Sequence, residues 1–390
     1  MISLNDSFLS NYLSIQVKHL SDPLSLYSSL TNQDASAPSF PYLLNNSTPN
    51  PLYTYTQKRQ RDHGIHGART AAAGCFLLDC VVSPRSSTRL LGWCTKQYQA
   101  AYSSLKWTEE TTKECWLLAG GFHDRGYVCS TYMANLNDAS RTDKDYEDLL
   151  HMYSILAKEY PFYLPVGWFE AIANGVKQNR RRAAVQIMRK LLLDSIKRLF
   201  PEVTDNRGSI AQLFTRVKSE HSLVFDHGLC QLALICESMK NNDIFPIKIR
   251  ALTPTQAILR EAARAAAYHN LVAPATFLPY PFVAVLRLAD ELQEWDRVCW
   301  VSSSVARSEI QQVMLGPFTG RDGSYEYPHT LVIKFIVADE DITSKTGFDL
   351  HKFHRSKKEA LDLLEFPDIP DFNPKALEIG TRPTELRGAI

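Results

Sequence analysis

Leu117-Leu118-Ala119-Gly120-Gly121-Phe122-His123-Asp124-Arg125-Gly126-Tyr127 is the stretch on which the reading of this chain turns. Apolar and small residues lead straight into an adjacent imidazole and carboxylate, and a glycine follows Arg125. Such a segment delivers two metal-competent side chains to the edge of a core, where an unpaired charge is costly. One dyad decides little by itself. Its weight depends on whether the chain supplies further ligands in similar settings.

Other segments do. Arg61-Asp62-His63-Gly64-Ile65-His66-Gly67-Ala68 opens the apolar stretch from Ala71 to Val82. Phe225-Asp226-His227-Gly228-Leu229-Cys230 opens Leu232-Ala233-Leu234-Ile235, and Ala265-Ala266-Ala267-Tyr268-His269-Asn270 closes an alanine-rich run. Asp290 sits in Pro281-Phe282-Val283-Ala284-Val285-Leu286-Arg287-Leu288-Ala289-Asp290-Glu291-Leu292. Helical segments that each offer His or Asp from an apolar context predict a metal site inside a helical bundle. Thr253-Pro254 predicts a helix start, with a capping hydroxyl and proline in the first turn. Strong helix formers follow from Arg260 to Ala267. His63 and His66 are three apart and share a helical face, so either could be the first ligand.

The order His, His-Asp, His, His, Asp resembles the HD superfamily of metal-dependent phosphohydrolases, over roughly residues 57–305. Gly120 to Tyr127 resembles the family's second motif, and Leu286 to Leu292 its last. The resemblance implies that His63, His123, Asp124 and Asp290 hold a first metal. It implies that His227 and His269 complete a second, with Asp124 as the bridge. His66 would then be a neighbouring group or a proton donor to the leaving oxygen. The implied activity is cleavage of a phosphate ester, that of a nucleotide foremost, by a metal-bridged hydroxide. Arg125, Arg61 or Arg287 would face the phosphoryl oxygens. A di-iron oxygenase of the same superfamily and a non-catalytic nucleotide sensor are the alternatives. Nitrogen and carboxylate donors without thiolate suit iron, manganese, cobalt, nickel or zinc, and magnesium less well.

Composition excludes other classes. The chain has 390 residues, 45% hydrophobic and 22% charged, with a net charge of +1, so no global field draws it to nucleic acid or membrane. Its 8 Cys form no pairs at two-residue spacing and several lie in apolar runs, as buried reduced thiols of a cytoplasmic protein would. No apolar run approaches the roughly 18 residues needed to span a bilayer, and the N-terminus lacks the features of a secretory signal.

The expected fold is mainly α: an HD-type helical bundle core with a small α+β C-terminal extension. Residues 1–56, rich in Ser, Asn and Pro, form an N-terminal extension packing on the core. Residues 57–305 form the core, with an insertion between Val82 and Thr108 and an inserted basic helical segment at about 165–200. That segment, Lys177 to Arg198, could meet nucleic acid, but a solvated helix face is the favoured reading. Residues 306–390 form the extension, with Leu331 to Val337 as a buried strand and Arg355 to Leu364 as an amphipathic helix.

Overall fold

The computed structural model describes residues 2–16, 59–60, 63–80, 88–124, 126–127, 129–130, 151, 182–199, 226–232, 252–269, 275–276, 280–293, 299–301, 304–306, 310–316, 330–337, 350–362, 364–365 and 373–381. The protein is mainly helical. Its described helices are α1 (Asp6–Gln16), α2 (His63–Cys80), α3 (Leu90–Ala101), α4 (Glu109–Phe122), α5 (Arg182–Leu199), α6 (227–232), α7 (Pro254–His269), α8 (Pro281–Leu292) and α9 (Leu350–Asp362). Among the described residues, no helix is long and apolar enough to cross a membrane.

The core is α2, α4, α7 and α8. Helix α4 packs on α2 and α7, and α8 closes against α2 and α7. Small residues set the spacing between α2 and α4. A Cβ on Gly67 would stand 2.6 Å from the Gly121 carbonyl oxygen, and one on Gly120 would stand 2.8 Å from the Ala71 Cα. The two backbones therefore approach as closely as chains can. Trp116 fills the next layer and donates its indole N–H to the Ala71 carbonyl at 2.8 Å. Tyr98, Trp116 and Phe282 join α3, α4 and α8 through ring contacts of 4.9 and 5.6 Å.

Helix starts follow local chemistry. Thr253 and Gln256 cap α7 reciprocally: the Gln256 N–H donates to Thr253 Oγ1 at 3.3 Å, and the Thr253 N–H to Gln256 Oε1 at 2.8 Å. Thr108 caps α4 by accepting from the Thr111 N–H at 3.2 Å, and Asp226 caps α6 by accepting from the Leu229 N–H at 3.0 Å. Proline opens α8 at the position where its missing N–H costs nothing. The segment between Val82 and Thr108, read from sequence as an insertion, contains α3.

Strands occupy the periphery. A four-stranded sheet runs β1 (Ile2–Leu4), β6 (Ile310–Gly316), β7 (Thr330–Val337), β9 (Asn373–Thr381). The β1–β6 and β6–β7 pairs are antiparallel, and β7–β9 is parallel. Smaller sheets join β2 (Arg59–Gln60), β4 (Cys299–Val301) and β5 (Ser304–Ala306), and β3 (Ala275–Thr276) with β8 (Leu364–Glu365). The first residues of the chain thus complete a sheet built mostly from residues beyond 306. Directly after β1, α1 lies on α2, where Arg69 grips Asp6 through both carboxylate oxygens at 2.7 and 2.6 Å.

Helix α9 meets the end of α8 through a charged anchor. Lys357 reaches the end of α8 and donates to the Glu291 side chain at 2.6 Å and to its carbonyl at 3.1 Å. On α5, Leu192 and Ile196 are buried while Lys190 and Lys197 are exposed, as an amphipathic surface helix requires. Residues 177–181 of the basic segment lie outside the described residues.

Candidate metal centre

Five helix ends converge on one point. His66 comes from the first turn of α2, His123 and Asp124 from the end of α4, His227 from the start of α6, His269 from the last residue of α7 and Asp290 from the last turn of α8. His66, His123, Asp124, His227 and His269 are all buried, and Asp290 is partly exposed. Their nitrogen and carboxylate donors form three overlapping groups: His66, His123 and Asp124; His123, His269 and Asp290; Asp124, His227 and His269. Within each group the donor atoms lie within 4.8 Å of one another, a spacing at which a shared cation could be held.

Asp124 sits between the histidines. Its Oδ1 is 3.3 Å from His123 Nε2, 3.3 Å from His227 Nε2 and 3.8 Å from His269 Nε2. Its Oδ2 is 3.4 Å from His66 Nε2. Asp290 Oδ1 stands 2.7 Å from His66 Nε2 and 3.7 Å from His123 Nε2.

The outer nitrogens define the tautomers. His123 Nδ1 lies 2.7 Å from the Gly120 carbonyl oxygen, and His269 Nδ1 2.6 Å from that of Ala266. His66 Nδ1 pairs with Gln293 Oε1. A carbonyl oxygen only accepts, so each Nδ1 carries hydrogen and each neutral ring presents an Nε2 lone pair inward. Among the described residues, the buried His123 Nε2 makes no hydrogen bond. Lone pairs facing carboxylate oxygens repel unless a cation or a proton lies between them. The donor set therefore fits a divalent metal.

Electrostatics agrees. Burial alone would lower the His123 pKa, but Asp124, Asp290 and the Gly120 carbonyl outweigh it and raise it to about 9. The same carboxylates that attract this proton would attract a metal ion. At His269, burial and the neighbouring His227 and His123 rings push the pKa down to about 3, leaving a neutral imidazole. Desolvation would raise Asp290, yet the His123 and His66 rings beside it hold its carboxyl well below the usual range.

Close backbone contact aligns α6 with the dyad. A Cβ on Gly126 would meet the His227 carbonyl oxygen at 1.8 Å, and one on Gly228 the Ala266 carbonyl oxygen at 2.2 Å. Only glycine leaves room at either place. Tyr127 then stacks on the His227 ring, with centroids 3.8 Å apart and planes 12° from parallel.

The structure places the expected residues unevenly. His123, Asp124, His227, His269 and Asp290 come together, and His66 joins them. His63 opens α2, but its side chain lies outside the described residues, as do Arg61 and Arg125. Arg287 is bound to backbone at the end of α7. It donates to the His269 carbonyl at 2.8 Å and the Tyr268 carbonyl at 3.0 Å, tying α8 to the end of α7. Gln293 was not legible as a site residue, because a glutamine just past a helix end reads as a solvated cap. Its one signal is the three-residue offset from Asp290. No protein-family model, curated protein or solved structure matches this chain.

Proposed function

We propose that the protein is a metal-dependent phosphohydrolase of the HD type that cleaves a phosphate ester, a nucleotide being the favoured substrate class. The observation that carries this reading is Asp124, whose Oδ1 lies within 3.8 Å of the Nε2 atoms of His123, His227 and His269 and whose Oδ2 lies 3.4 Å from His66 Nε2. His66, His123, Asp124 and Asp290 would hold one divalent ion. Asp124, His227 and His269 would hold a second. Ions so bound supply Lewis-acid polarisation of a phosphoryl oxygen and an activated water at neutral pH.

The chain's own residues have distinct tasks. Carbonyl acceptors from Gly120 and Ala266 keep the His123 and His269 lone pairs inward. Apolar residues next to the cluster on α4 and α7, Ala119, Phe122, Ala265 and Ala266 among them, are buried, and a dry surround strengthens charge interactions. Arg125, next to Asp124 in sequence, is the residue we assign to the phosphoryl oxygens.

The test is metal analysis of the purified protein together with a hydrolysis screen of nucleotides and simple phosphate esters, comparing manganese, iron and magnesium. Release of phosphate or nucleotide by wild type, lost with bound metal in Asp124→Ala, is the expected result. Full retention of both in Asp124→Ala sinks the reading. An iron- and oxygen-dependent activity without phosphate release reassigns the same donor set to an oxygenase.

A further inference from the structure

The three described Nδ1 contacts at the cluster are not equivalent. His123 and His269 each stand at the end of a helix, where carbonyls lack intrahelical partners. Each ring takes such a carbonyl three residues back in its own chain, Gly120 for His123 and Ala266 for His269. His66 stands in the first turn of α2, where the carbonyls are already engaged by the next turn of the helix. It takes its acceptor from another element, the Gln293 side chain.

Gln293 is fully buried. It ends α8, and its backbone N–H donates to the Asp290 carbonyl at 3.2 Å. One short segment thus presents Asp290 Oδ1 to the inner nitrogen of His66 and Gln293 Oε1 to the outer one. A neutral acceptor serves here better than a carboxylate, because two carboxylates already face the cluster.

We infer that Gln293 is the positioning residue for His66: it holds hydrogen on Nδ1 and aims the Nε2 lone pair at the centre shared with Asp124 and Asp290. The inference rests on the metal-centre reading for its consequence and stands on the geometry of His66 for its substance. Loss of the acceptor frees the ring to rotate and to place hydrogen on Nε2, where it would donate to Asp290 and block a metal.

Two measurements on the full chain test this. Long-range proton–nitrogen spectra of histidine-labelled protein, with His66 assigned through His66→Gln, read the tautomer directly. Equilibrium dialysis with cobalt(II) reads affinity. Wild type is expected to show the Nδ1–H form. Gln293→Met, close in volume and without an acceptor, is expected to lose that signature and to bind cobalt roughly 10–100-fold more weakly, with its thermal melt nearly unchanged. Gln293→Glu keeps an acceptor and is expected to restore the tautomer. Should Gln293→Met not fold, Gln293→Asn, one methylene shorter, carries the same comparison. A replacement lacking reach or acceptor that keeps both the Nδ1–H signature and wild-type affinity overturns the inference. Failure of wild type to bind cobalt would overturn the metal reading alone, with the tautomer still deciding the role of Gln293.

Discussion

His227 Nε2 and His269 Nε2 stand 3.0 Å apart, each within 3.8 Å of Asp124 Oδ1. Two ring nitrogens so close cannot both be protonated, and burial with this contact keeps His269 neutral. In the proposed centre the pair acts as one unit. Loss of either ring should remove the ion that both would hold, and loss of the second should cost little more. His227→Ala, His269→Ala and the double variant should therefore show the same reduced metal content by elemental analysis. Additive losses would mean that the rings serve separate sites.

Gly126 is the tightest backbone junction at the cluster. Its missing Cβ is replaced by the His227 carbonyl and the Gln231 N–H, which a Cβ would meet at 1.8 and 2.6 Å. Backbone on both sides leaves nothing flexible to yield. Gly126→Ala should destabilise by about 2 kcal/mol or more, at the upper end of overpacking costs, measured by urea unfolding. It should also weaken metal binding, since the strain is relieved by moving α6 and with it His227. A variant as stable as wild type would show that α6 is not held at this distance.

The clustering of these side chains was legible because each lies at one end of an apolar run, and burial of that run carries the polar end inward. His123, Asp124, His227, His269 and Asp290 share this property. The part played by His66 was not legible in the same way. His63 and His66 share a helix face, and their place along α4 depends on how closely Gly67 and Gly120 let the two helices approach. Sequence periodicity has no measure of that slide. The tautomer anchors were hidden for another reason: two are backbone carbonyls, which carry no residue identity. Strand β1 escaped because its three residues are too few to show alternation, and its partner β6 lies some 300 residues away. By contrast Thr253-Pro254 states its helix start in local chemistry alone, and the structure has the same cap.

Away from the centre, Glu261 and Arg264 form a buried ion pair on α7, with Arg264 Nη1 at 2.7 and 2.9 Å from the two carboxylate oxygens. Tyr102 donates a hydrogen bond to the same carboxylate, and the Arg264 guanidinium lies 4.3 Å from the Tyr280 ring centroid. Removing one partner of a buried pair leaves an uncompensated charge, which costs about 3–5 kcal/mol, whereas replacing both by apolar groups is often far milder. Glu261→Leu should therefore be much less stable in urea than the Glu261→Leu/Arg264→Leu double variant. The reverse order would mean that water reaches Arg264 and the pair is not truly desolvated.

Buried thiols make the folded state sensitive to alkali. Burial pushes Cys75 up to about 12, with Asp79 adding to the effect, and raises Cys94 and Cys115 well above the ordinary thiol value. In the unfolded chain these groups ionise near about 8.5. A raised folded pKa gives stability that is fully present below the unfolded pKa and is lost as pH climbs toward the folded one. Each such thiol should then cost about 1.4 kcal/mol of stability per pH unit inside that window. Thermal melts under reducing conditions at about pH 8, 8.5 and 9, below the ordinary tyrosine pKa of about 10, should show a steady fall in melting temperature. Cys75→Ala should flatten that fall relative to wild type, whatever its own starting stability. Parallel slopes for the two proteins would show that Cys75 ionises as readily folded as unfolded, and so that water enters between α1 and α2.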